Sequence, residues 1–321
     1  MVLARVRRTI AERRLLARGD HVLVACSGGG DSVALTRLLA RLAPELGVSL
    51  AIASVDHGLR PEAAEEVAEV GRLAEALSLP FHPLRVRVEP AGEGLQAAAR
   101  RARYAALHRC AAERGAGKLA VGHTLEDQAE TVLARLLRGA GLAGAAGIHP
   151  AREDGVVRPL IDCRRAELRA WLRARGVGWR DDPSNADPRF ERVRIRALGP
   201  ALEAIDPRAL EHLAAFADDA RAVHGVLARR AEAHRAAHGE AALAREALLS
   251  LDAPTRAAVL ARALADTTGR PPSRAHLDAL EATLASGRGE VLLGGDWGAR
   301  LVEGRLELAR RPRRTRSTRT E

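Results

Sequence analysis

His21-Val-Leu-Val-Ala-Cys-Ser-Gly-Gly-Gly-Asp-Ser-Val-Ala-Leu-Thr-Arg-Leu-Leu-Ala-Arg-Leu42 compresses a strand, a turn and a helix into 22 residues. His21–Ala25 is an apolar, β-branched run of the kind that forms a buried strand, and Val33–Leu42 carries apolar residues at helical spacing. Between them lies Cys26-Ser-Gly-Gly-Gly-Asp-Ser32. A glycine-rich turn between a strand and a helix N-terminus is an anion site, because backbone N–H groups converge there and the helix dipole favours negative charge. Ser27 and Ser32 add hydroxyls, Gly28, Gly29 and Gly30 let the backbone approach a ligand closely, and Asp31 is placed to reach a phosphate-bound Mg²⁺. The plainer reading of the same string is a strand–helix turn with a Ser/Asp N-cap and no ligand.

The commoner phosphate loop ends in Gly-Lys-Ser/Thr, so that a lysine reaches the β- and γ-phosphates. Lys118 is the only lysine in the chain and lies far from this loop. Ser-Gly-Gly-Gly-Asp-Ser instead resembles the pyrophosphate loop of the PP-loop (N-type ATP pyrophosphatase) enzymes. That resemblance implies cleavage of ATP to AMP and pyrophosphate, with adenylation of a carbonyl oxygen of the substrate.

From residue 19 to about residue 138 strand-like and helix-like segments alternate. Strands are expected at His21–Ala25, Val48–Val55, Phe81–Val88 and Lys118–Val121, with helices near Asp31–Leu42, Pro61–Leu77, Leu95–Arg114 and Thr124–Leu137. Such alternation predicts a parallel α/β sheet with helices on both faces, whose ligands bind beyond the carboxyl ends of the strands. The Ser27–Ser32 loop, Asp56-His57 and Gly122-His123 each follow a strand, so all three should meet at that edge. Beyond Ile205-Asp-Pro-Arg208 the pattern becomes mostly helical, with one or two helices over Arg208–His238 and others at Thr255–Asp266 and Ser273–Ser286. Val291–Leu293, Ala299–Val302 and Arg305–Ala309 suggest a small β-meander. The expected organisation is a catalytic α/β domain over 1–205, a mostly helical domain over 206–309 and a disordered basic tail over 310–321.

The 321 residues carry 51 Lys+Arg against 41 Asp+Glu, a net charge of +10, which suits a polyanionic partner. Aromatic residues make up only 2 %, so any RNA contact should rest on arginine–phosphate pairs rather than base-stacking platforms. Cys26, Cys110 and Cys163 are widely spaced, which argues against a disulfide framework, a zinc ribbon or an all-cysteine iron–sulfur site. No uncharged run approaches the ~18 residues of a membrane span. A cytoplasmic protein is expected, with no membrane contact. Gly139-Ala-Gly-Leu-Ala-Gly144 matches a dinucleotide fingerprint formally but follows a helical stretch, so a glycine hinge or mobile loop is expected instead.

Several further motifs carry chemistry. Val55-Asp-His-Gly-Leu-Arg60 places Asp56 and His57 at a strand end, either to contact adenosine or merely to open the next helix. In Gly122-His-Thr-Leu-Glu-Asp-Gln-Ala-Glu-Thr131, helical spacing puts His123, Asp127 and Glu130 on one face, fit to hold Mg²⁺, grip an ammonium group or move a proton. The plainer reading is a capping box between Thr124 and Asp127. In Ala99-Arg-Arg-Ala-Arg-Tyr104, Arg100 and Arg103 read as a phosphate clamp or as a solvated basic face. Asp182-Pro-Ser-Asn185 reads as a turn into Arg192-Val-Arg-Ile-Arg196, where Arg192 and Arg196 share a face suited to RNA backbone or a carboxylate, with Arg194 beside them. Trp171 and Trp179 read as core.

In order, these motifs, together with Arg158-Pro-Leu160, resemble the tRNA(Ile)-lysidine synthase family over roughly residues 20–200. The sequence departs at Val193, where the family usually has asparagine. The resemblance implies that lysine is joined to C2 of the wobble cytidine of a CAU-anticodon tRNA(Ile), after ATP adenylates O2. It further implies Ser27–Ser32 with Asp56 and His57 for ATP, Asp31 for Mg²⁺, and Arg103 with His123 for the developing charge. Asp127 and Glu130 would hold lysine or take its proton, and Arg100, Arg192, Arg194 and Arg196 would meet tRNA or substrate. A PP-loop tRNA thiolase and a noncatalytic RNA-binding protein are the rival readings, and a homodimer is left open.

Overall fold

The computed structural model describes residues 1–56, 58, 63–88, 94–180, 189, 191–270, 272–293 and 296–310. In chain order the elements are α1 (Val2–Glu12), β1 (His21–Ala25), α2 (Gly30–Leu46), β2 (Ser49–Asp56), α3 (Ala63–Ala76), β3 (Phe81–Arg85), α4 (Leu95–Glu113) and β4 (Lys118–Ala120). There follow α5 (Leu125–Leu137), α6 (Leu142–Ala145), β5 (Val156–Val157), α7 (Arg165–Arg173), α8 (Glu191–Ala197), α9 (Gly199–Ile205) and α10 (Ala209–His238). The chain continues through α11 (Arg245–Leu249), α12 (Ala253–Thr268), α13 (Arg274–Ser286), β6 (Glu290–Leu292), β7 (Trp297–Val302) and β8 (Arg305–Arg310). His57, Asp182–Asn185, Gly294-Gly295 and the tail 311–321 lie outside the described residues.

Two compact units emerge, Met1–Ala134 with Gly147–Ala215, and Arg135–Ala146 with Phe216–Glu321. In the first, five strands form a sheet in the order β3-β2-β1-β4-β5, every pair parallel. The expected parallel α/β architecture is therefore the one observed. Strand pleating sends alternate residues to opposite faces. Val22 and Val24 join Leu35, Leu38 and Leu39 of α2 on one side, while Leu23 packs with Leu107 and Cys110 of α4 on the other. The three cysteines are buried and free. Trp171 and Trp179 pack against the larger core, as expected of them.

Several elements were not anticipated, among them α1, β5, α7, α9 and α11. In α1, Val2, Val6, Thr9 and Ile10 are buried at helical spacing. β5 has only two residues, too few for any periodicity to register. The stretch Arg208–His238 yields one 30-residue helix, Ala209–His238, and the meander of the second unit is an antiparallel β6-β7-β8 sheet. Gly139–Gly144 is not simply a glycine hinge, since Gly141 caps the short helix α6.

Strand order reverses between β1 and β4, and in open α/β sheets that switch point is where ligands bind. The loops after β1 and β4 are in contact there. A Cβ on Gly122 would lie 3.2 Å from the carbonyl carbon and oxygen of Asp31 and 3.3 Å from the Ser32 nitrogen. Those are backbone atoms at a helix start, with little freedom to retreat. Gly122→Val should therefore destabilise the chain by about 1–3 kcal/mol. Urea unfolding checks this, and an unchanged midpoint refutes the close approach.

Candidate active site at the carboxyl edge of the sheet

The Ser27–Ser32 loop is braced from within. Gly28 has φ +82°, a conformation that side-chain-bearing residues resist, and its carbonyl accepts the N–H of Arg180 at 3.1 Å. The Ser32 hydroxyl donates to the Gly29 carbonyl at 2.9 Å and accepts the Ser27 N–H at 3.1 Å. It also lies 3.3 Å from the Ser27 hydroxyl. Ser32 thus shapes the turn as well as offering an oxygen. Gly30 faces the Trp179 indole, which a Cβ would meet at 3.2 Å. Asp31 sits in the first turn of α2, where the N–H groups have no intrahelical acceptors.

Asp31 Oδ2 accepts from Arg165 Nε at 3.1 Å, while Oδ1 is buried with no partner among the described residues. Burial raises the Asp31 carboxyl above its ordinary value; Arg165 opposes the rise and Asp127 adds to it. An orphaned carboxylate oxygen beside a helix N-terminus fits a divalent cation that is shared with phosphates. Among the described residues, no cluster of three or more His, Cys, Asp or Glu side chains could hold a metal alone.

The second component lies after β4. Helix α5 starts at Leu125, so His123 precedes it and is not on the same helical face as Asp127 and Glu130. Asp127 Oδ2 accepts the Thr124 N–H at 2.9 Å, the carboxylate half of the expected capping box. Asp127 Oδ1 accepts from Arg165 Nη2 at 2.8 Å and from Arg192 Nη2 at 2.7 Å. Glu130 accepts from Arg196 Nε at 2.8 Å and Arg192 Nε at 3.2 Å, with Arg165 Nη1 3.8 Å away. Burial alone would raise the Asp127 carboxyl, but the guanidiniums of Arg192 and Arg165 outweigh it and hold the group below its ordinary value.

Asp31, Asp127 and Glu130 thus meet three arginines, and Arg165 is the one that touches all three. Its side chain is 17 % exposed, and its charged form is reinforced despite burial. Arg165 was not anticipated from sequence. One signal was available: Arg164 and Arg165 occupy the N-cap and first position of α7, where the dipole disfavours cations. Arg164 resolves that conflict through Glu203 and Glu211, and Arg165 through the carboxylate cluster.

A third component is cationic. The guanidinium carbon of Arg100 lies 5.0 Å from the Tyr104 ring centroid, and those of Arg103 and Arg152 lie 5.9 Å from it. Burial and the neighbouring Arg100 pull the Arg103 guanidinium below its ordinary value. His123 is kept neutral chiefly by burial, with Arg158, Arg100 and Arg192 adding to the effect against Asp127. Arg158 donates from Nε to His123 Nδ1 at 3.2 Å. Asp56 is committed to its turn, accepting the Gly58 N–H at 2.7 Å with Arg85 Nε 3.7 Å away. Arg194 is exposed on α8. A cavity of about 210 Å³ adjoins Glu130, with walls of Ala129, Leu133, Ile195, Leu202 and Leu210.

Residues 3–202 match the family model of a PP-loop domain, and residues 243–307 match that of a TilS substrate binding domain. A tRNA(Ile)-lysidine synthase from Thermus thermophilus is 50 % identical over 223 residues, covering 68 % of this chain and 43 % of the relative. The chain thus spans less than half the length of that relative. A tRNA(Ile)-lysidine synthase from Methylobacterium sp. is 42 % identical over 318 residues, covering 93 % of this chain and 91 % of the relative. Among solved structures, a U34-tRNA thiolase from Methanococcus maripaludis with its [4Fe-4S] cluster aligns with TM-score 0.59 at 18 % identity, covering 68 % of this chain and 76 % of that one. This last likeness speaks to fold alone.

Arg165→Met should cost about 3–5 kcal/mol at neutral pH, since it leaves buried carboxylates short of a counter-charge. The depressed Asp127 carboxyl stabilises wild type above its unfolded value and loses that contribution as pH falls through the folded value. Acid also protonates and so relieves the unpaired carboxyls of the variant. The gap between the two proteins should therefore narrow from pH ~8 to pH ~4 in urea unfolding. A pH-independent gap would show that the arginine's charge is not what matters.

Proposed function

The chain belongs to the tRNA(Ile)-lysidine synthase family, and from that premise we propose that it joins free lysine to C2 of the wobble cytidine in CAU-anticodon tRNA(Ile) at the expense of ATP. The observation that carries this reading is the convergence of an anion-binding loop, a carboxylate pair and an arginine–tyrosine cluster at one switch point. C2 of cytosine is a poor electrophile until its oxygen becomes a leaving group, and adenylation of O2 achieves that.

In this reading the Ser27–Ser32 loop and the α2 N-terminus take the phosphates of ATP through backbone N–H groups. Asp31 would hold Mg²⁺, which supplies neutralising charge on the phosphates when bound. Arg103 and the His123 imidazole face the charge that develops as O2 attacks the α-phosphorus and pyrophosphate departs. Arg100, Arg192, Arg194 and Arg196 contribute positive charge toward the tRNA backbone or substrate, and Asp56 with His57 borders the nucleoside. The 243–307 region is assigned to tRNA recognition.

The lysine half then falls to Asp127 and Glu130. A carboxylate offers about four lone-pair sites, and Asp127 has used three on Thr124, Arg165 and Arg192. A site therefore remains for an ammonium donor. Because the Asp127 carboxyl is held below its ordinary value it is a weak base, so its part is to bind lysine rather than to deprotonate it. The apolar cavity beside Glu130 suits the aliphatic stem of the amino acid. The ε-ammonium first gives a proton to water; attack by the resulting neutral amine forms the C2–N bond, breaks C2–O2 and releases AMP with O2 on its phosphate, the remaining amine proton staying on the cationic lysidine product.

Incubation with ATP, Mg²⁺, labelled lysine and CAU-anticodon transcripts should label the transcript and release pyrophosphate, whereas a wobble-uridine control stays unlabelled. Label on both transcripts, or on neither, would overturn the reading. Asp127→Asn should keep tRNA-dependent pyrophosphate release while raising the lysine KM about 10- to 100-fold, the loss expected of one charged hydrogen bond. An unchanged lysine KM would remove Asp127 from the lysine site.

A further inference from the structure

His123 is held by an unusual partner. Its backbone N–H donates to the Val121 carbonyl at 3.1 Å, which pins the residue just past β4. Its ring meets the guanidinium of Arg158, whose Nε lies 3.2 Å from Nδ1. Arg158 is 3 % exposed and is itself fixed, since Nη1 donates to the His149 carbonyl and the Tyr104 hydroxyl shares the guanidinium.

Arginine has five N–H donors, no acceptor and no accessible neutral form. The direction of the Arg158–His123 hydrogen bond is therefore not a matter of choice, and Nδ1 must present its lone pair. An imidazole with a bare Nδ1 carries its one proton on Nε2. The usual partner of a working histidine is a carboxylate or a backbone carbonyl, which accepts from Nδ1–H and leaves Nε2 as a base. An arginine in that place reverses the outcome.

We propose that Arg158 is a positioning residue that locks His123 as the Nε2–H tautomer, so that His123 serves as a neutral hydrogen-bond donor to a phosphoryl or leaving-group oxygen and never as a proton acceptor. Among the described residues none accepts from Nε2, nor is that nitrogen among the buried polar atoms shut off without a partner. It is left for a substrate oxygen. A neutral imidazole donor does not have to be recharged between turnovers and is indifferent to small changes of pH. The groups that act on the ring electrostatically are Asp127 from α5, Arg158, Arg100 from α4 and Arg192 from α8; burial leads, and the three arginines together with it prevail over the single carboxylate. The role given to Nε2 rests on the adenylation reading above, whereas the tautomer rests on the Arg158 contact alone.

The full chain, labelled with ¹⁵N at histidine, tests the two parts separately. The His123 resonances are assigned by their loss in His123→Gln. Long-range ¹H–¹⁵N spectra should show Nδ1 as unprotonated and Nε2 as protonated, with no titration between about pH 5 and pH 8. Wild-type protein with Nδ1–H, or with a ring that titrates in that range, would overturn the proposal without recourse to any variant. Arg158→Met should leave Nδ1 free to take the proton, so that a population with Nδ1–H and a bare Nε2 appears while burial still keeps the ring neutral. Its tRNA-dependent pyrophosphate release should fall about 10-fold, the loss expected of one misdirected hydrogen bond. An Arg158→Met ring that keeps Nδ1 bare and Nε2 protonated would overturn the positioning role. A wild-type spectrum of the stated form in a protein inactive toward tRNA would support the tautomer and defeat the functional reading instead.

Discussion

Three carboxylates, Asp31, Asp127 and Glu130, share a corner in which the last two are buried, and Arg165 is the cation that makes their proximity tolerable. Asp127 and Glu130 have side chains only 7 % and 8 % exposed. Charges of one sign so placed would protonate or drive the loops apart unless paired. A single guanidinium reaches Asp31 through Nε, Asp127 through Nη2 and lies near Glu130 through Nη1. The loop after β1, the start of α5 and the N-terminus of α7 are thereby tied to one another. α7 can serve this way because Leu168 and Leu172 anchor it in the core that α2 also fills. The hydrophobic packing and the charged corner are thus parts of one arrangement.

The site keeps its two kinds of charge apart. Around the carboxylates, Arg165, Arg192 and Arg196 balance Asp31, Asp127 and Glu130, with Glu126 and Arg169 also within electrostatic reach, so little net charge stands there before any ligand arrives. Around Tyr104, Arg100, Arg103 and Arg158 gather without a carboxylate partner among the described residues, while Arg152 pairs with Asp154. A cationic half suits phosphate and a balanced acidic half suits an ammonium group. Arg192 belongs to both, pairing with Asp127 and Glu130 while its charge is felt at Arg103 and His123. A reaction between an anionic nucleotide and a cationic amino acid calls for such a division.

Local pattern made much of this visible in the sequence. The strand of His21–Ala25, its glycine turn and the helix behind it announce themselves through apolar periodicity, as does the long α10. Asp127 and Glu130 were legible as a pair because helical spacing brings them to one face. His123 was misjudged by two residues, since the helix starts at Leu125 and the histidine remains at the strand end. Arg165 and Arg158 were opaque for a different reason. Arg165 is separated from Asp31 by 134 positions, and Arg158 from His123 by 35, so no local rule connects them. The only trace was a breach of a local rule, two arginines at a helix start where anions belong. Local rules are broken where tertiary partners compensate, and such breaches mark sites.

Both arginines exploit the same property. A buried lysine sheds its proton readily and presents its donors from one atom. It could not span three carboxylates carried on separate elements, and on losing its proton it could accept a hydrogen bond and so release the tautomer of a facing imidazole. A guanidinium stays charged at any pH the protein survives, and its fork of donors points in fixed directions. At Arg165 that permanence keeps Asp127 ionised, which makes the carboxylate a binder of cations and a poor base. At Arg158 it denies Nδ1 a proton and adds to the burial that keeps His123 neutral, which makes the ring a donor and again a poor base. In this chain, then, the groups that look most like acid–base catalysts are restrained from proton transfer by arginines behind them. What remains to them is electrostatics, which in the proposed reaction means holding an ammonium on one side and a phosphoryl oxygen on the other. That is also the demand of a reaction whose difficult step is the making of a leaving group.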